Sequence, residues 1–195
     1  GQPPVRPGAT VGDTGTGMLL AMGIIAAIYQ RVTTGRGQHL QIAMRDAMLN
    51  YCRTPMSRQA ATDEVIPRAG SSVIGTAPGG LYHCKPGGPD DYCYIFASRG
   101  NEEHWRRLVE AIGRQDLLDD PRMVDGTTRA EHRDVVDGAI NGFTSTHTKQ
   151  EVMETIAGAK VPCGAVFNTL ELLNDEDLIA RGMIQTVDHP VRGPT

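Results

Sequence analysis

The chain has 195 residues, 39% hydrophobic and 22% charged, with a formal net charge of −4. This is an ordinary globular composition. With no basic excess and only 5% aromatics, it lacks the electrostatic and stacking basis of a nucleic-acid binder.

The cysteines, Cys52, Cys84, Cys93 and Cys163, are scattered and form no C-x-x-C pair. They do not have zinc-ligand spacing, and they are too sparse for a disulfide framework. They read as reduced thiols of a cytoplasmic protein. The lead-in "GQPPVRPGAT" is irregular, and the chain stops at "HPVRGPT" just after a strand-like segment, so both ends read as cut from a longer polypeptide.

Residues 14–32 read as a helix. Met18, Leu19, Met22, Ile25 and Tyr29 keep helical spacing, and Leu20, Ile24 and Ile28 fill the other side, which predicts burial on most faces. The apolar run Gly17 to Tyr29 falls short of the ~20 residues that span a bilayer. No basic segment precedes it and no cleavage site follows, so no membrane partner is expected. "TTGRGQ" supplies glycines for a left-handed helix end. In "HLQIAM", Leu40, Ile42 and Met44 alternate with His39 and Gln41, which predicts a strand. "MRDAMLNYCR" then returns to helical spacing. Helix, strand, helix in succession predicts an α/β layer with a partly parallel sheet.

From Thr54 to Ala77, Pro55, Pro67, Gly70 and Gly75 break the periodicity, which predicts a linker. "LYHC" and "YCYIFAS" flank the turn "KPGGPDD" and read as a hairpin. Asn101 caps the next helix, with Trp105, Leu108 and Ile112 on one face and Gly113 at its end. A helix is expected over Arg129 to Phe143. Thr148 and Glu151 form the capping box of another. "CGAVF" reads as a short strand, "DEDLIARG" as a small helix and "MIQTVDHP" as a last strand.

"GDTGTGM", "TGRGQHLQIAMRDAMLN", "PGGLYHCK" and "VPCGAVFNTLELLNDEDLIARGMI" together resemble, in order and over nearly the whole chain, the family III CoA-transferases. The resemblance implies an interlocked dimer, each subunit with a large Rossmann-like domain built from both chain ends and a smaller α+β domain. On that map residues 1–53 belong to the large domain, 54–77 form the linker, 78–170 the small domain, and 171–195 return toward the large one. The implied activity is transfer of CoA from an acyl-CoA, such as formyl- or acetyl-CoA, to a small oxalate-like carboxylic acid. The CoA thioester is the substrate; no permanently bound cofactor and no metal are expected, and the partner is a second copy of the chain.

The same resemblance makes Asp13 the nucleophile. Gly12, Gly15 and Met44 would line the substrate site, and Gly79 and Gly80, within "SSVIGTAPGG", would belong to a lid that keeps water from the intermediate. A carboxylate suits this chemistry, because an acyl group held as an anhydride stays as reactive as the thioester it came from, whereas a serine ester would not.

Taken alone, the residues leave other readings open. Asp13 serves as a helix cap, Met44 as core, and the glycines as a phosphate cradle at a helix start. Within the same family, an α-methylacyl-CoA racemase would use the aspartate as an acid/base. A non-catalytic dimeric fragment is the remaining alternative.

Overall fold

The computed structural model describes residues 4–194; residues 1–3 of the lead-in and the terminal Thr195 lie outside the described residues. The chain divides after Gly70 into two compact units.

The first unit is helical: α1 (Val11–Thr34), α2 (Met44–Tyr51) and α3 (Arg53–Thr62). Gly35 closes α1 at φ 71°, its N–H bonded to Arg31 O, which is the left-handed end expected of "TTGRGQ". Helix α2 packs on the N-terminal half of α1 across Gly12 and Gly15.

Four expectations fail in this unit. The first concerns the helix start: α1 begins at Val11, so Asp13 lies inside its first turn and not at its cap. The second is burial. Gly15 is the only buried residue of α1, while Met22 is 65% and Tyr29 73% exposed. Apolar composition favours burial, but only neighbours can supply it, and one short helix is too little cover for 24 residues. At that length α1 is also long and apolar enough to cross a membrane by length and composition alone, as core helices of water-soluble proteins can be. The third is the strand in "HLQIAM". Residues 36–43 pair with no other strand among the described residues, so the alternating pattern has no ladder to join. The fourth is the irregular stretch: residues 54–62 are helical, with Pro55 in the first turn of α3, where its missing N–H costs nothing.

The second unit has a three-stranded antiparallel sheet, β1 (Gly79–His83), β2 (Tyr92–Phe96) and β3 (Cys163–Ala165), in the order β1-β2-β3. Tyr82 stands opposite Cys93, and Cys93 opposite Ala165. The parallel pairing expected of an α/β layer is absent from both described sheets.

Helices α6 (Arg133–Thr144) and α7 (Lys149–Gly158) pack on this sheet, α4 (Glu102–Ala111) packs on α7, and α5 (Gly126–Glu131) leads into α6. Tyr82, Ile95, Trp105, Leu108, Ile140, Val152 and Ile156 meet in the core. The caps fall as expected. Asn101 accepts the Glu103 N–H, Gly113 has φ 71°, and the Thr148/Glu151 box is complete. The single helix expected over 129–143 is instead two, broken at His132, and the break leaves Arg129 buried at the end of α5. Asn168 and Glu171 cap α8 (Thr169–Leu173), an unforeseen helix, which α9 (Glu176–Ala180) follows. The last strand shrinks to β4 (Asp188–His189), paired with β5 (Gly193–Pro194).

Candidate active site

The first turn of α1 presents Asp13 as its third residue. Thr10 holds the cap position but its side chain caps no N–H. Among the described residues, none donates a hydrogen bond to the Asp13 carboxylate, which is exposed. A capping carboxylate would be tied to backbone N–H groups; this one is not. The neighbouring hydroxyls are engaged with each other or with the backbone: Thr10 with Thr14 at 3.2 Å, and Thr16 donating to Gly12 O at 2.6 Å.

Met44 lies against Gly12, the residue before Asp13 in α1, and both Gly12 and Gly15 face α2. A Cβ on Gly12 would stand 3.4 Å from Met44 Sδ. One on Gly15 would stand 2.8 Å from the Tyr51 ring and hydroxyl, closer than real Cβ contacts come. These two glycines therefore let α2 approach, and they set the depth at which Met44 rests beside the Asp13 turn. Tyr51 falls within the helical spacing of "MRDAMLNYCR". Nothing in the spacing shows that its ring covers Gly15, because that contact exists only once the helices are packed.

Further along α1, Leu20, Ile24 and Ile28 form with Gly37 to Leu40 a groove of about 390 Å³. No carboxylate lines it, and Asp13 is not among its residues.

Gly79 and Gly80 belong to the second unit. They open β1 opposite Phe96 and Ile95, and both are buried. A Cβ on Gly79 would meet Thr76 O at 3.2 Å, and the Val73 N–H donates to Gly79 O at 2.8 Å. The Arg133 guanidinium holds the preceding loop by donating to the carbonyls of Val73 and Thr76. Asp137 sits 3.6 Å from Arg133 and accepts the Tyr82 hydroxyl proton bond at 2.6 Å. Burial, and then this bond, push the Tyr82 phenol well above its usual range.

Two buried thiols of the second unit, Cys84 and Cys93, are poor rivals as nucleophiles. Burial pushes Cys84 up to about 12. Cys93 is raised by its hydrogen bond to Cys163 and by burial, while the same bond lowers Cys163. All four cysteines are free. Among the described residues no three His, Cys, Asp or Glu side chains gather to hold a metal ion.

Comparison with known proteins adds the following. The family model described as CoA-transferase family III matches residues 1–195. A formyl-CoA:oxalate CoA-transferase of Streptomyces coelicolor is 37% identical over 98% of this chain and 49% of its own length. One of Rhodopseudomonas palustris is 34% identical over 97% and 48%. The chain thus spans about half the length of the curated relatives it matches. Among solved structures, a CAIB/BAIF family protein from Brucella suis aligns with a TM-score of 0.69 at 22% identity, covering 100% of this chain and 52% of that one. Rv3272 from Mycobacterium tuberculosis aligns at 0.73 and 20%, covering 96% and 47%. At such identities these structures support the fold alone.

Proposed function

The chain belongs to CoA-transferase family III, and from that premise we propose that it moves CoA from an acyl-CoA thioester to a small carboxylic acid through Asp13. The names of its relatives favour formyl-CoA as donor and an oxalate-like acid as acceptor; acetyl-CoA as donor enters through the resemblance alone.

In this reading an Asp13 oxygen attacks the acyl carbonyl and CoA leaves as thiolate, giving a mixed anhydride. The thiolate then attacks the Asp13 carbonyl; the donor acid departs and an enzyme thioester remains. The acceptor carboxylate attacks that thioester, forming a second anhydride and again freeing thiolate. Attack of thiolate on the acceptor's acyl carbon completes the new acyl-CoA and regenerates Asp13. Each exchange joins partners of similar energy, so no step is steeply uphill.

The observation that carries the proposal is the Asp13 carboxylate, exposed on the first turn of α1 and without a donor among the described residues. Within that turn the Val11 N–H donates to Ala9 O and the Thr14 N–H to Thr10 O, while those of Gly12 and Asp13 find no backbone acceptor among the described residues and are available to a developing oxyanion. The Met44 thioether, beside Gly12, packs against the acyl portion. Gly79 and Gly80 enter as substrate contacts through the resemblance alone. A homodimer of interlocked subunits with Rossmann-like large domains, in the cytoplasm, completes the reading. The broad exposed apolar surface of α1 supports a further partner surface, and the free thiols support a reducing compartment.

The test is to incubate the protein with acyl-CoA and hydroxylamine and to map the product by peptide mass spectrometry. Asp13 hydroxamate is expected. Exchange of the substrate's α-proton with no hydroxamate would assign Asp13 to racemase-type acid/base work instead.

A further inference from the structure

We infer that Gly17 sets the size of the acyl group that Asp13 accepts, its missing side chain leaving the space in which that group lies. The inference rests on the nucleophile reading of Asp13. It starts from helix geometry. Residues four apart stand one above the other on one face, so Gly17 is the C-terminal neighbour of Asp13 on α1. Each Cα–Cβ bond also leans toward the helix N-terminus. A side chain at position 17 would therefore lean over the turn that carries the Asp13 carboxylate.

Four glycines lie within α1, and their surroundings differ. A Cβ would meet Met44 at Gly12, Tyr51 at Gly15 and Leu40 at Gly23, the last at 3.6 Å. These positions are explained by what packs on them. At Gly17 no heavy atom of the described residues lies within 4 Å of the Cβ position. Glycine in a helix interior is less stable than alanine, so its use there calls for a reason. Packing on the described residues gives none, whereas the neighbouring carboxylate does. The opposite edge of the site is already occupied by Met44, at the α2 seam. An acyl group carried on Asp13 as the mixed anhydride thus meets a thioether on one side and bare helix backbone on the other.

The test uses the intact protein, wild type and Gly17→Ala, with acetyl-CoA and butyryl-CoA as donors. It reads the rate of Asp13 hydroxamate formation and the thermal midpoint. For Gly17→Ala the acetyl rate is expected to stay within about twofold of wild type and the butyryl rate to fall about tenfold, the discrimination one added methyl group gives in a close-fitting site. The thermal midpoint should hold or rise, because alanine restricts the unfolded chain and suits a helix. Equal slowing of both donors, or no change in either, overturns the inference, as does a fall in the midpoint, which would assign Gly17 to packing. A wild-type protein that forms no hydroxamate at all overturns the nucleophile reading, and this inference falls with it. That result is distinct from a wild type that traps normally beside a variant without selectivity.

Discussion

The region before Gly70 and the region after it treat the same kind of apolar residue in opposite ways. After Gly70, Ile95, Leu108, Val136, Ile140, Val152 and Ile156 are wholly enclosed, because a sheet face and several helices meet over them. Before it, only Gly15 and Ala47 are buried among the described residues, although α1 is a long and largely apolar helix. Enclosure needs partners arranged in space, and composition does not report whether they are present. The region that carries its own core lies after Gly70, and the region that lacks one holds Asp13, the proposed nucleophile.

The largest effect should sharpen that contrast. Asp13→Asn is expected to lower acyl transfer by about 10⁴-fold or more, in line with removal of a covalent nucleophile. It should leave the thermal unfolding of the second region unmoved. Coupled loss of stability and activity, followed by circular dichroism beside the transfer assay, would break the division of labour.

Within the second region, Arg129 is 1% exposed, donates twice to Glu102 and once to Met123 O, and lies 5.1 Å over the Trp105 ring. Arg129→Ala removes that packing and those bonds together. A loss of about 3 kcal/mol is expected in urea unfolding.

In the first region, Gly15→Ala drives a methyl into Tyr51 and should cost about 2 kcal/mol at the α1–α2 seam. Adding Tyr51→Ala should restore part of the loss. Two costs that simply add would show that the two residues do not meet. Smaller again is the capping box: Thr148→Ala should destabilise the second region by about 1 kcal/mol, read from the same urea midpoints.

The acid limb is the mildest probe. Hydrogen bonding to Arg106, aided by Arg107, holds Glu103 down to about 2 from an ordinary 4.5, and Arg122 holds Asp120 at about 2 from 3.8. A carboxylate whose folded value is depressed stabilises the fold above its ordinary value and loses that contribution as pH falls toward the depressed one. The second region should therefore weaken between about pH 4.5 and pH 2, and Glu103→Gln with Asp120→Asn should flatten that decline.

Legibility from sequence follows the range of the interactions. Asn101, Gly113 and the Thr148/Glu151 pair act within one helical turn, so their roles can be read from spacing. The hairpin is local too. Three features resisted because neighbours elsewhere decide them: the exposure of α1, the unpaired "HLQIAM" and the break at His132 that accompanies the burial of Arg129. The motif around Asp13 singled it out as a candidate. Its place inside the first turn, and its freedom from a capping role, emerged only from the folded helix.

Following an oxygen atom tests the central claim most directly. An acceptor acid carrying heavy oxygen in its carboxylate must leave one labelled oxygen on Asp13 at each turnover, and mass spectrometry of the Asp13 peptide after a single turnover should find it there. A peptide that stays unlabelled while labelled acid is converted to its CoA thioester would contradict the account.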